Sequence, residues 1–326
     1  MLNGTDVRVN DFYRTPLLKT FERIMDQFTA RIDQREMQVG LFRVPIPNYD
    51  GRSFREAFVN ALVHRDYTRL GAVHVRWEQE VLAISNPGGF VEGVTLENIL
   101  VTEPRPRNPA LADAIKRIGL AERTGRGVDL IYQGLLRYGR PVPDYGGSTM
   151  HSVVVVLSGG EADTGMLRIV LEEENRRQQP LPVDALIALG LLRRQRRIDI
   201  STLARAIQRD DAAARNAIEQ LVEVGLVEPH GIKKGRTYTL SPRVYREVGD
   251  PAAYIRQAGF ESIQQEQMVL QYAREHGQIT RRDAIDLCKI SEDQATRLLD
   301  KLVIQGNLTR QGAGRGVHYT ATLANN

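Results

Sequence analysis

Residues 55–67 read Arg-Glu-Ala-Phe-Val-Asn-Ala-Leu-Val-His-Arg-Asp-Tyr, and this spacing predicts a helix with Glu56, Asn60 and His64 on one stripe. Ala57, Phe58, Ala61 and Leu62 fill the adjoining face with the 3.6-residue period of a helix that packs on a sheet. A carboxylate, a carboxamide and an imidazole beside a core carry a desolvation cost that a ligand or a hydrogen-bond network must offset. Two readings stand at this point. Either the stripe is the wet face of an ordinary amphipathic helix, or it lines a binding cavity.

The segments that follow bear on that choice. Two β-like runs, 72–76 and 81–85, lead into Asn86-Pro87-Gly88-Gly89-Phe90, where Pro and paired Gly end a strand in a loop open to close backbone approach. Arg107-Asn108-Pro109 opens a helical run through residue 118, and Gly125-Arg126-Gly127 precedes another over 128–138. A Gly-x-Gly turn at a helix start presents unpaired N–H groups to an anion, although two glycines before a helix are also common in plain loops.

The order polar helix, strands, Asn-Pro-Gly-Gly, Arg-Asn-Pro, Gly-x-Gly, helix, strand resembles the family named after the carboxy-terminal region of RecG-like helicases. That family is a divergent branch of the GHKL (Bergerat-type) ATP-binding fold, and the resemblance spans residues 51–157. It implies an ATP site in which Asn60 holds a magnesium ion and Glu56 orients or deprotonates a water, with His64 closing the same motif. Asp66, Asn86 and Asn108 are then expected at the cofactor, with Gly88, Gly89, Gly125 and Gly127 as the backbone that wraps it. Magnesium prefers oxygen ligands and keeps waters, as such a site requires. One departure from the pattern is Asn86, which stands where GHKL proteins place the aspartate that accepts the adenine amino group; an amide acceptor loses the strength that charge gives such a bond. Helicase activity is not implied, since no Gly-x-x-x-x-Gly-Lys-[Ser/Thr] occurs. His64-Arg65-Asp66 also lacks the asparagine and the Asp-Phe-Gly of a kinase catalytic loop, so that reading fails.

The chain has 326 residues, 42% of them hydrophobic and 26% charged, enough for two or three domains with their own cores. No apolar run is long enough to span a bilayer and the amino terminus lacks a signal-peptide pattern, so the expected compartment is the cytoplasm and no membrane partner is expected. Cys288 is the single cysteine, which excludes an intrachain disulfide; it is expected to be a small core residue.

The net charge of +4 is a mild bias, but Arg193, Arg194, Arg196 and Arg197 cluster, as do Lys233, Lys234 and Arg236, and Arg310 with Arg315. An internal repeat explains their setting. Leu221 and Leu302, Gly225 and Gly306, Tyr238 and Tyr319 all stand 81 positions apart (319 minus 238, for example), as do Ile198 and Ile279. Each copy reads helix, short β signal, helix, turn, longer helix, then a glycine-bearing basic hairpin, the pattern of a winged helix-turn-helix. In the first copy the helices are expected over 183–194, 201–206 with Ser201 as N-cap, and 212–224, with the wing over 226–240. In the second they are expected over 265–275, 280–288 and 291–305, with the wing over 307–322. Arg215 and Asn216, with Gln294, Thr296 and Arg297, are the expected base contacts. Lys233, Lys234, Arg236, Arg310 and Arg315 are expected to meet phosphates or a minor groove. The acids that open the third helices, Asp210-Asp211 and Glu292-Asp293, help the helix dipole but repel phosphate.

The expected class is α+β: a leading helical segment over 1–50, a GHKL-like α/β sandwich over 51–157, a linker over 158–180, and winged helices over 181–245 and 246–326. Relatives of this type commonly carry a Schlafen-type AlbA domain ahead of the polar helix, and none is visible here; either the chain is shorter than those relatives or it is truncated. DNA is the expected partner, with ATP and magnesium as cofactors and a homodimer as one arrangement suited to paired half-sites. The expected function is a nucleotide-responsive, transcription-regulator-like DNA-binding protein. The alternatives are a weak magnesium-dependent ATPase tethered by its winged helices, or a protein-interaction scaffold without nucleotide.

Overall fold

A computed structural model describes residues 2–3, 6–7, 9–39, 42–78, 80–121, 126–231, 235–249, 262–288, 290–312 and 317–322. The chain divides into two compact units, Met1–Gly249 and Asp250–Asn326. The class is α+β.

In the first unit the elements run β1 (Leu2–Asn3), β2 (Asp6–Val7), α1 (Leu17–Thr29), β3 (Gln34–Val39), β4 (Phe42–Pro47), α2 (Gly51–His64), β5 (His74–Glu78), β6 (Val81–Pro87), α3 (Pro109–Arg117), α4 (Gly127–Leu136) and β7 (Ser152–Ser158). The main sheet has the order β2-β1-β5-β6-β7; its centre is antiparallel, and only β1 and β5 pair in parallel. Alternation along β6 buries Leu82, Ile84 and Asn86 on one face, each opposite β7 at Leu157, Val155 and Val153. That face meets α2. Asn86 is therefore carried inward by the same period that carries the core.

Helix α2 is capped by the Asp50 carboxylate, which accepts from Ser53 N at 2.7 Å, and it is buried on most of its circumference. Phe54 and Phe58 join Phe21 and Phe28 of α1 and Trp77 of β5 in one aromatic stack, with Phe28 and Phe54 centroids 4.1 Å apart. On the opposite side α2 lies against α4, where Ser53 and Asp50 fill the space beside Gly134.

The leading segment is more than a helix. Besides α1 it contributes the β3–β4 hairpin, whose Ile46 packs on Leu167 and Leu171. The linker expected over 158–180, with a short helix over 166–174, holds α5 (Thr164–Arg177), a longer helix that buries Met166, Leu167, Ile169, Val170 and Leu171. Glu174 is buried because Arg137 lies 2.7 Å away and Leu181 N donates to it at 3.2 Å, while Glu173 is gripped by Arg176 and Arg177.

Next come α6 (Val183–Gln195), β8 (Arg197–Asp199), α7 (Ile200–Ile207), α8 (Asp211–Glu223), β9 (Val227–His230), β10 (Thr237–Leu240) and α9 (Pro242–Glu247), still within the first unit. α6 touches α4 and α8, and α9 packs on α5. The N-cap of α7 is Asp199, which accepts from Thr202 N at 2.8 Å, and not Ser201, whose hydroxyl donates to the same carboxylate.

The second unit holds α10 (Ser262–His276), α11 (Arg281–Cys288), α12 (Glu292–Ile304), β11 (Leu308–Gln311) and β12 (His318–Ala321). The repeat survives as equivalent pairings: Ile198 pairs with Tyr238, and Ile279 bridges Tyr319. Ala214, Ile218 and Leu221 are buried in one copy, and Ala295, Leu299 and Leu302 in the other. Cys288 is a buried core residue, its thiol pushed up by desolvation.

A Cβ at residue 134 would overlap Ser53 Oγ and the Asp50 carboxylate. Gly134→Ala must part α2 from α4, and we expect a loss of about 1–3 kcal/mol, read as a lower urea midpoint at unchanged slope. An unchanged midpoint would contradict the packing described.

Candidate functional site

Glu56 is buried, and Asn60 and His64 are half-buried. They line a cavity of about 240 Å³ together with Asn86, Gly89 and Gly127. A single water needs only about 10–15 Å³ on such a measure, so the space suits a molecule rather than a solvent site. Glu56 is 2% exposed, with the Arg55 guanidinium 3.6 Å from Oε1. Gly127 opens α4 directly against the polar stripe: a Cβ added there would stand 3.3 Å from Glu56 Oε2 and 3.5 Å from both Asn60 carboxamide atoms.

Asn86 is 4% exposed and its Nδ2 donates to Pro87 O at 3.2 Å. With the amide nitrogen turned to that carbonyl, the oxygen is the group left to accept from a ligand. Apolar walls come from Ile84, Val153, Val155 and Tyr145, and Tyr145 is held protonated by burial.

Three residues expected at the cofactor serve as frame instead. The Asp66 carboxylate accepts from Thr68 N, Thr68 Oγ1 and Arg69 Nε at 3.0, 2.6 and 3.1 Å, and these bonds, led by Thr68, lower its pKa. Asn108 Nδ2 donates to Val63 O and Arg65 O, both at 2.8 Å, closing the C-terminal end of α2. Gly88 takes φ +93° and donates its N–H to His151 O at 2.8 Å, with Asp66 Cβ packed against it. Neither Asp66, Gly88 nor Asn108 lines the cavity. Gly125 lies outside the described residues.

The residues that sequence reasoning missed sit in the loop between Phe90 and Arg107 and on the helices beyond it. Val94, Leu100, Thr102 and Arg105 line the cavity from the loop, and Lys116 and Arg126 add positive charge. Irregular backbone carries no period, so the one legible sign was the alternation Pro104-Arg105-Pro106-Arg107. Arg107 binds the loop to α2: Nε donates to His64 O at 3.0 Å and Nη2 to Gly89 O at 2.8 Å. Asp129, also in the wall, has its pKa raised by desolvation.

The expected DNA-facing residues are scattered in their roles. Arg215 and Asn216 are exposed on α8, and Arg297 on α12. Gln294 and Thr296 are engaged locally: Gln294 Oε1 accepts from Ser291 N at 2.9 Å in a capping box, and Thr296 Oγ1 donates to Glu292 O. Arg236 turns inward to Glu219 at 3.1 Å, Arg193 is held by Asp163 at 2.9 Å, and Arg310 is exposed on β11. Lys233, Lys234 and Arg315 lie outside the described residues.

Residues 71–157 match the family model described as "Putative ATP-dependent DNA helicase recG C-terminal". The match supports the RecG-like carboxy-terminal family and an ATPase-like domain, and it begins after α2, so it leaves the polar stripe uncovered. The crystal structure of the DIP2311 protein from Corynebacterium diphtheriae is similar to the chain, with TM-score 0.61 and 26% identity over 94% of this chain and 54% of that one. The chain thus spans about half the length of that protein. No curated protein matches the chain. Among the described residues no group of three or more His, Cys, Asp and Glu side chains is arranged to hold a metal, and no helix is long and apolar enough to cross a membrane.

His64 has its pKa lowered from 6.5, first by burial and then by Arg107. The native state thus takes up a proton on this ring less readily than the unfolded chain, which does so near pH 6.5. Stability from this group is therefore present above pH 6.5 and declines as pH falls below it, with a slope of at most about 1.4 kcal/mol per pH unit. His230 shifts the same way, so His64→Gln should remove part of the loss measured by urea unfolding between pH 7.5 and 5.5. An identical pH profile in the variant would contradict a buried neutral His64.

Proposed function

We propose that the cavity binds a magnesium-complexed adenine nucleotide, and that its occupancy governs DNA binding by two winged helix-turn-helix modules, residues 181–245 and 246–326. The observation that carries this reading is the meeting of Glu56, Asn60 and His64 with Gly127 in one cavity bordered by Arg105, Lys116 and Arg126. Glu56 and Asn60 put oxygen atoms on the cavity wall, and a hard cation there would meet the ligand type it prefers.

The donor set fits magnesium, which takes one or two protein oxygens and completes its shell with waters and phosphates. Asn60 would hold it through its carboxamide oxygen, and when bound it would neutralise phosphate charge. Gly127 supplies the absence of a side chain that lets phosphates approach the stripe, and the N–H groups that open α4 favour an anion there. Asn86 Oδ1 would accept from an exocyclic amine. Glu56 is also placed to take a proton from a water at Oε2, which is the hydrolytic reading; it is a second function of the same site.

For DNA, the reading rests on the exposed Arg215, Asn216, Arg297 and Arg310, and on the basic character of Lys233, Lys234 and Arg315 in the sequence. A purely protein-binding role for these modules would show no salt slope.

A ligand present at about 100 times its Kd stabilises a fold by about 2.7 kcal/mol. Wild-type protein should gain on that order with saturating Mg-ATP, Asn60→Ala should lose the gain, and Glu56→Gln should retain most of it and lose any phosphate release. No stabilisation of wild type by Mg-ATP would favour a nucleotide-free scaffold. In parallel, removing charge at Arg215 and Arg310 should flatten the dependence of DNA affinity on salt by about 0.9 for each phosphate that is no longer neutralised.

A further inference from the structure

The loop that walls the cavity is gripped by a residue of the first repeat copy. Gln208 Nε2 donates to Leu96 O at 2.7 Å, and its Oε1 accepts from Leu100 N at 2.8 Å. One carboxamide therefore commits both its donor and its acceptor to the main chain of the loop. Leu100 itself lines the cavity, as do Val94, Ile99 and Thr102 around it.

The loop is built to move as a piece. Asn98 Oδ1 accepts from Thr95 N at 2.7 Å, Asn98 Nδ2 donates to Gly93 O at 2.8 Å, and Thr102 Oγ1 donates to Asn98 O at 2.8 Å. A displacement imposed on the cavity side at Leu100 is carried to Leu96 by that internal stapling, and both ends of the displaced segment are held by Gln208.

On the other side Gln208 sits at a junction. It is the C-cap of α7, in the left-handed region at φ 58°, and two residues later Asp210 caps α8 by accepting from Ala213 N at 2.8 Å. Between them Arg209 reaches Asp184 of α6 at 3.2 Å. Residues 208–210 thus join the cavity wall, α6 and the start of α8, which displays Arg215 and Asn216. A left-handed non-glycine residue costs free energy that the surroundings must offset, and the two bonds to the loop contribute that offset.

We infer that Gln208 is a coupling residue: it transmits occupancy of the cavity from the wall loop to the amino-terminal end of α8. This rests on the nucleotide reading of the cavity, and it adds the route by which the nucleotide would reach the DNA-facing helix. The coupling is a difference in loop position between the empty and filled cavity, and its size is bounded by the difference in nucleotide affinity for the two positions.

Gln208→Gly tests it. Glycine adopts the left-handed conformation without strain, so the turn is kept while both bonds to the loop are removed. Hydrogen exchange is followed in the full chain, with and without Mg-ATP, in peptides over 93–103 and 211–217. In wild type we expect Mg-ATP to slow exchange in both, by about fivefold or more at 211–217, the lower end of usual coupling strengths. In Gln208→Gly the slowing at 93–103 should persist and that at 211–217 should vanish. Equal slowing at 211–217 in both proteins, or none there in wild type despite slowing at 93–103, would overturn the coupling and leave the nucleotide site standing. No slowing at 93–103 in either protein would overturn the nucleotide site and the coupling with it.

Discussion

Helix α2 is buried on most of its circumference. Ser53, Phe54, Glu56, Ala57, Phe58, Val59, Ala61, Leu62 and Val63 are all buried, between the aromatic stack of α1, the inner face of β6 and the close approach of α4 at Gly134. A helix packed on this many sides presents its polar stripe to the cavity, where the desolvation of Glu56 has to be offset. Everything functional follows from that enclosure. Arg107 and Asn108 then fix the C-terminal end of the helix to the Gly89 loop and to the start of α3, so that the stripe, the strand end at Asn86 and the loop share one frame.

The parts legible in the sequence were those with a period or a repeat. The stripe at Glu56, Asn60 and His64 followed from helical spacing, whereas the strand expected over 81–85 runs on to Pro87 and so carries Asn86 inward. The 81-residue repeat, 319 minus 238, predicted that Tyr238 and Tyr319 would occupy equivalent places, and each is buried against the isoleucine of its own copy. Side-chain bonds across loops were not legible. Nothing in the residues distinguishes an Asp66 that meets a ligand from one that closes a turn with Thr68, or an Asn108 that reaches a cavity from one that caps Val63 and Arg65. A short helix over 166–174 was legible within the linker, but not its burial, because Glu173 and Glu174 look solvated until Arg137, Arg176 and Arg177 are placed beside them. The loop over 91–106 was missed for the same reason that it matters: its shape is held by Asn98 and Gln208, not by a pattern.

The first repeat copy is not a tethered appendage. α6 packs on α4, α9 packs on α5, and Gln208 bonds the cavity loop, so this copy shares its unit with the sheet and the polar cavity. The second copy forms the other unit, with its own core around Leu299, Leu302 and Tyr319. The two copies therefore differ in setting although they share a plan, and it is the first that bonds directly to the wall of the candidate site.

All of this turns on the enclosed polar stripe being a nucleotide site. Isothermal titration of the full chain with ATP, with magnesium present and then chelated, is the decisive experiment. We expect saturable heats at one nucleotide per chain that weaken sharply when magnesium is removed; flat heats with magnesium present would refute the nucleotide site.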